Sequence, residues 1–310
     1  MALKYHEGQI EVQTEANTRR VADVLASWVG PVGEFCRTAD MVVLSVRGLG
    51  GRLEFSAVSG AAPVVEVAGP SSVLIRLNEG QGPAVDGEVS CGGIAISLAV
   101  ARRARLNGSL RRSPEGLVLE ASEAFTNCRK YVAPSSALES ARHFGPVSRE
   151  LVALDDPWVS DVIARAETSF LASISPGGVA DVSHRGGPAG FLRLDPEAGS
   201  LEWDEYVGDG MLKSAGNIRA TGRMSLLIPD LASGDAVELA GHARVRIVQR
   251  DKRPRTESLL QHKEEFPIQG HMTCNIEAAY RLAGLTHPRR RLEKRARVTS
   301  ASSTDQQAPQ

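Results

Sequence analysis

Cysteine is scarce in this 310-residue chain, and its four cysteines, Cys36, Cys91, Cys128 and Cys274, lie far apart with no CxxC pair. This excludes a zinc ribbon or a disulfide-stapled scaffold, and reduced, mostly buried thiols are expected. His6, His143, His242, His262, His271 and His287 show no metal-ligand spacing either, so no metal site is expected. No apolar stretch approaches the roughly 20 residues that a membrane span needs. The opening MALKYHEGQIEVQ has no continuous apolar run of the kind that directs secretion. A soluble cytoplasmic protein without a membrane partner is the expectation. Net charge is also nearly absent, at −1. Six basic residues between Leu285 and Gln310 stand against only Glu293 and Asp305, so the rest of the chain is mildly acidic, which argues against nucleic acid as a partner. Neither a Walker loop nor a GxGxxG fingerprint occurs, which removes support for a nucleoside triphosphate or a dinucleotide on a Rossmann unit.

What the chain does contain is short β-branched runs punctuated by glycine. Val21, Val24, Leu25, Trp28 and Val29 are spaced as one face of a helix over 15–29, which Gly30 and Pro31 end. From Met41 the runs MVVLSV, RLEFSAV, PVVEVAG and SSVLIRL read as antiparallel strands. A second set reads TSFLASI, VADVSH, GFLRL, SLEWDEY, RMSLLIP and AVELAGHARVRIV, and 157–166 between the sets reads as a short helix. Three features recur in the same order in both halves. VVLSVRGLGG around Ser45 parallels FLASISPGG around Ser173, and Ser59-Gly60 parallels Arg185-Gly186-Gly187. ARLNGSL, with Gly108, parallels ELAGHAR, with Gly241. A duplicated, mainly β architecture with short helices follows, and closing each half into a small barrel removes exposed sheet edges. Beyond Leu285 hydrophobic periodicity stops, and a flexible basic tail is expected.

Two segments carry the chemistry. In ADVSHRGGPAGF, Ser183 and His184 offer neutral hydrogen bonds and Arg185 a planar cationic fork, while Gly186 and Gly187 let backbone N–H groups approach an anion. In YVGDGMLKSAGNI, Lys213 and Ser214 stand at the start of a short helix, where N–H groups and the helix dipole favour a phosphate. In Asn127-Cys128-Arg129-Lys130-Tyr131, flanking cations would lower a thiol pKa, but no general base stands beside Cys128 in sequence, and packing is its expected role.

FLASISPGGVADVSHRGGPAGFLRL, followed by YVGDGMLKSAGNIRATGRMSLLIPD and VELAGHARV, resembles the flavin-binding region of the pyridoxamine 5′-phosphate oxidase-like split β-barrels over 156–248. YHEGQIEVQTEA, RRARLNGSLRR and EAFTNCRKY resemble the two-barrel members of that family. The resemblance implies two tandem split barrels (α+β), with an N-terminal helical segment over 1–30, a degenerate barrel over 31–145, a cofactor-binding barrel over 146–284 and a tail over 285–310. It also implies FMN as cofactor, with its ring in a crevice between the barrels. By motif position, Ser183, His184, Arg185, Gly186, Gly187, Lys213, Ser214 and Asn217 would hold that cofactor. Asp209 and Gly210 stand where the family commonly has two asparagines, and Gly222 where it has proline. An aspartate would repel an adjacent phosphate, so Asp209 is expected to face ribityl hydroxyls or solvent. The first half has Ser59-Gly60 where the second has Arg185-Gly186, which predicts one FMN per chain. The implied activity is FMN-dependent oxidoreduction of a small molecule, either oxidation of an amine or alcohol or reduction of a substrate with electrons from a nicotinamide donor; a homodimer is the expected assembly, and no catalytic residue is assigned. The alternative is a non-catalytic flavin- or haem-binding protein. A true pyridoxamine phosphate oxidase fits less well, since that enzyme is a single-barrel homodimer.

Overall fold

The computed structural model describes residues 4–26, 36–60, 63–77, 81–133, 135, 147–248 and 266–289. Most of the sequence assigned to the basic tail therefore lies outside the described residues. Two helices come first, α1 (Glu7–Glu15) and α2 (Arg19–Ala26). Of the helix expected over 15–29, α2 is the part found among the described residues, and 27–29 lie outside them. The chain breaks at Asn17, whose φ of 53° lies in the left-handed region, and α1 escapes the periodicity because it buries Gly8, Gln9 and Gln13 together with Val12.

Seven strands form the first sheet: β1 (Met41–Arg47), β2 (Leu53–Ser59), β3 (Val65–Val67), β4 (Ser72–Ile75), β5 (Glu88–Ser97), β6 (Arg102–Ser113) and β7 (Gly116–Thr126). Next come β8 (Ser148–Val152) and α3 (Pro157–Arg165), whose first turn is capped by Asp156 accepting from the Trp158 N–H at 2.8 Å. The second sheet holds β9 (Thr168–Ile174), β10 (Ala180–Gly186), β11 (Leu192–Asp195), β12 (Ser200–Tyr206), β13 (Arg223–Pro229), β14 (Ala236–Ile247) and β15 (Ile268–Ala283). Helix α4 (Lys213–Thr221) lies between β12 and β13.

The strand orders are β2-β1-β5-β6-β7-β4-β3 and β10-β9-β13-β14-β15-β12-β11, with β8 pairing β15 outside that path. Each strand of the first order therefore has its counterpart eight strands later. The two tandem split barrels share a local irregularity as well. The β6–β7 register shifts between Asn107 and Gly108, and the β14–β15 register shifts between Ala240 and Gly241. A Cβ at Gly108 would overlap the Glu120 carbonyl and one at Gly241 the Asn275 carbonyl, so both bulges need glycine.

Alternation along the strands sorts side chains into three cores. Val42, Leu44 and Val46 fill the first barrel, and Leu171, Leu226 and Leu239 belong to the core of the second. Met41, Val43, Phe55, Ile94 and Ile96 meet Phe170, Ala172, Val182 and Leu227 between the barrels. Strands β1 and β9 are thus buried on both faces, which is why MVVLSV and TSFLASI read as continuous apolar runs. Leu285 joins this shared core, His287 bonds Ser59 and Arg289 pairs with Asp40, so 285–289 is packed structure and the expected tail boundary falls too early. No helix of the described residues is long and apolar enough to cross a membrane.

Because Phe170 is fully buried at the shared interface, Phe170→Ala is expected to lower the unfolding free energy by about 3–5 kcal/mol. Both barrels should still unfold in one transition. Urea denaturation followed by tryptophan fluorescence and circular dichroism checks this, and two separated transitions in the wild type would show the barrels to be independent.

Candidate functional site

The polar residues of β6 face the second barrel. Arg103, Arg105 and Asn107 alternate on one side of that strand, while Ala104 and Leu106 enter the first core. Opposite them is β10, brought close because Gly92 of β5 has no side chain: a Cβ there would come within 2.7 Å of the Asp181 backbone. Asp181 is the meeting point. Arg105 Nη1 donates to both its oxygens at 3.1 and 3.2 Å, Asn107 Nδ2 to Oδ1 at 2.7 Å and Ser214 Oγ to Oδ2 at 2.9 Å. Burial alone would raise this carboxyl, but Arg105, Lys213 and the bonds from Asn107 and Ser214 hold it below its ordinary value.

Helix α4 is positioned from the other side by α1. Gly8 and Gly216 let the two helices touch, since a Cβ at either would strike backbone of the other. Asn217 Oδ1 accepts from His6 Nε2 at 2.7 Å and from Gln9 Nε2 at 3.0 Å, while its Nδ2 donates to Ser173 Oγ at 3.0 Å. Gln13 Nε2 donates to the Met211 carbonyl at 2.7 Å. The YHEGQ segment, to which the sequence assigned no role, therefore fixes α4 and the loop before it.

A cleft opens between β6, β10, β12 and the start of α4. Of the eight residues expected to hold a cofactor, His184, Arg185, Gly186, Lys213 and Ser214 line it, and Ser183, Gly187 and Asn217 do not. The two expected phosphate cations are already in ion pairs. Lys213 Nζ lies 2.7 Å from Glu123 of the first barrel, and Arg185 Nε lies 2.6 Å from Glu205. Gly186 makes room for the first barrel, because a Cβ there would overlap the Tyr131 carbonyl, and the Gly187 N–H donates to Glu167. Asp209, expected to face ribityl hydroxyls or solvent, lines the cleft, its Oδ2 accepting from Asn127 at 2.9 Å and its Oδ1 from the Met211 N–H at 3.0 Å.

Sequence reasoning missed the first barrel's share of this site. Arg103, Arg105, Asn127, Cys128 and Tyr131 all line the cleft, so Cys128 belongs to its wall and not simply to packing. Strand alternation in RRARLN was the available signal. Arg103 is buried, its Nη1 donating to His184 Nδ1 at 2.8 Å and to the Lys130 carbonyl at 3.3 Å. Among the described residues no carboxylate lies within ion-pair distance of it. Since a guanidinium can only donate, His184 Nδ1 must accept, and the imidazole proton is on Nε2. Burial first, then Arg103 and Arg185, push the His184 pKa well below 6.5, so the ring is neutral. His184 Nε2, Arg105 Nε and Asn127 Oδ1 are sealed from solvent without a partner among the described residues.

The equivalent position on the opposite side of the molecule is closed. Ser45 and Ser173 hold the same place in β1 and β9 and pair with Phe55 and Asp181, so Phe55, Ala57 and Ser59 stand where β10 has Asp181, Ser183 and Arg185. Counting from the shared bulge, Ala236, Glu238 and Ala240 stand where β6 has Arg103, Arg105 and Asn107. Phe55, Ala57 and Ala236 belong to the shared core. Ser59 is covered by His287, whose N–H donates to its Oγ at 3.1 Å.

No family model and no curated protein sequence matches the chain. Solved structures match parts of it. HupZ from Group A Streptococcus is 16% identical over 43% of this chain and 94% of its own, with a TM-score of 0.28. A Lactobacillus delbrueckii protein classed provisionally as a pyridoxamine 5′-phosphate oxidase is 26% identical over 36% of this chain and 83% of its own, with a TM-score of 0.24. A pyridoxamine 5′-phosphate oxidase-related, FMN-binding protein from Nostoc punctiforme is 11% identical over 44% of this chain and 88% of its own, with a TM-score of 0.32.

Two outcomes are expected from this geometry. Below pH 6.5 the unfolded chain protonates His184 and the folded chain does not, so stability rises with pH through that window. Relative to His184→Gln, the wild type should lose about 1.4 kcal/mol of unfolding free energy per pH unit as the pH falls below 6.5, measured by urea denaturation of both proteins. Secondly, Cys36, Cys91 and Cys274 are buried and pushed up to about 12 by burial, whereas Cys128 is half-buried in the cleft wall. Iodoacetamide near neutral pH should therefore modify Cys128 first, as read by peptide mass mapping.

Proposed function

We propose that the inter-domain cleft binds FMN and that the protein is an FMN-dependent oxidoreductase acting on a small molecule. The observation that carries this reading is the excess of donors in the cleft. Among the described residues, His184 Nε2–H and Arg105 Nε–H have no acceptor, and Arg103 has no carboxylate in ion-pair contact, Asp209 acting on it from farther away. A buried set of this kind is satisfied by an acceptor-rich anion such as a phosphate. It lies on the segments whose sequence resembles flavin-binding split barrels.

The donor set also separates the two kinds of binder. Haem ligation needs a lone pair on the imidazole nitrogen offered to iron, and the nitrogen left over at His184 is Nε2, which carries the proton here. The arrangement favours the flavin. Size divides the ligand in two: the cleft encloses about 80 Å³, well under the roughly 300–1,000 Å³ of pockets that bury a whole ligand. Its enclosed part suits a phosphate-sized group, and the planar remainder would extend through the mouth. That mouth has an aromatic border, with Tyr131 and Tyr206 centroids 5.4 Å apart and Phe266 stacked on Tyr131 at 5.6 Å.

When bound, FMN would supply the electron transfer itself. The chain's own residues supply binding and exclusion of water. Ser183 and Ser214, 2.7 Å apart, couple β10 to α4, and the Lys213–Glu123 pair fixes α4 against the first barrel. A neutral His184 presents a fixed N–H without adding charge.

Purified protein is expected to show the two broad near-visible bands of a flavin, and mass analysis of heat-released cofactor should return FMN at one per chain. Stoichiometric FAD or haem would overturn the cofactor, and two flavins per chain would overturn the closure of the opposite position by Phe55, Ala57 and Ala236.

A further inference from the structure

We infer that Arg103, on β6 of the first barrel, is the residue that carries the charge for the anionic group bound in the cleft, so that the phosphate site is assembled across the domain boundary. This rests on the FMN reading and deepens it. Four cations border the cleft: Arg103, Arg105, Arg185 and Lys213. Three of them have carboxylates in contact, namely Asp181 at 3.1 Å from Arg105, Glu205 at 2.6 Å from Arg185 and Glu123 at 2.7 Å from Lys213. Their charge is already compensated, and a dianion approaching them must compete with those carboxylates.

Arg103 differs. It is 8% exposed, its acceptors among the described residues are the neutral His184 ring and the Lys130 carbonyl, and its Nη2 lies 4.0 Å from Cys128 Sγ. The Asp209 carboxylate, which also lines the cleft, acts on Arg103 from beyond ion-pair distance; burying a guanidinium with no carboxylate in direct contact is still costly, and a bound anion would lower that cost. The sealed Nε2–H of His184 and Nε–H of Arg105 lie on residues lining the same cleft. The opposite half has Ala236 at the position of Arg103, so this charge has no counterpart where the cleft is closed. Arg185 and Lys213 then act as positioning residues: each neutralises a carboxylate that would otherwise repel the anion.

The test compares FMN with riboflavin, which lacks only the phosphate, by fluorescence titration. Wild-type protein should prefer FMN. Arg103→Gln should reduce FMN affinity about ten- to a hundred-fold, the range for losing charge-assisted hydrogen bonds, while riboflavin affinity stays unchanged. An Arg103→Gln protein that retains the FMN-over-riboflavin ratio overturns the assignment. A measurement on wild-type protein covers the case in which Arg103→Gln does not fold. Inorganic phosphate at constant ionic strength should slow iodoacetamide modification of Cys128, which sits beside Arg103, and lack of protection counts against the site. If neither flavin binds yet phosphate protects Cys128, the FMN reading fails and the anion site stands; if flavin binds and phosphate gives no protection, Arg103 is not its anchor.

Discussion

The Asp181 carboxylate sits out of water between two barrels, and it is tolerated there because Arg105 and Asn107 of one barrel and Ser214 of the other share its charge. Much else depends on that arrangement. It sets the distance between β6 and β10, aligns the first turn of α4, and leaves Arg103, two residues before Arg105 on the same face, directed at His184. A buried ion pair of this kind contributes little to net stability, because desolvation offsets most of the attraction, yet losing one partner costs about 3–5 kcal/mol. Its value here is geometric: it admits one relative placement of the barrels and disfavours others.

The barrels themselves were legible in the sequence because their cause is local. Period-2 alternation, glycine turns and repeated order identified both strand sets, and the paired glycines at 108 and 241 proved to be matching bulges. The two segments chosen for chemistry do border the cleft. What sequence could not supply was pairing between distant residues. Lys213 and Arg185 look like unclaimed cations until Glu123 and Glu205, 90 and 20 residues away in sequence, are placed beside them. Arg103 reads as an ordinary strand residue until the second barrel covers it. Periodicity alone did not show helix α1, which lies within the N-terminal helical segment that the family resemblance implied, for a related reason: its buried face is largely glycine and glutamine, meaningful only against α4.

The two sides of one interface differ in kind. On one side the strand face carries Arg103, Arg105, Asn107 and Asp181. On the other, Phe55, Ala57 and Ala236 have turned the equivalent face into core, leaving Glu238 as a buried carboxyl pushed up to about 7, chiefly by burial, against Arg149. The apolar side holds the barrels together by excluding water, and the polar side keeps an opening. Neither half could serve both ends at once, since a second polar face would have removed hydrophobic area from the shared core.

The docking of α1 on α4 also bears on how the molecule is assembled during synthesis. Gln9 and its acceptor on Lys213 are 204 residues apart, so α1 leaves the ribosome well before α4 and has no surface to settle on until α4 has followed. Closing so long a loop is only modestly dearer in entropy than closing a short one, but it must wait. The first barrel, whose strands are contiguous from Met41 to Thr126, can close in the meantime. The helix that borders the cleft is thus secured late, by a segment made well before it.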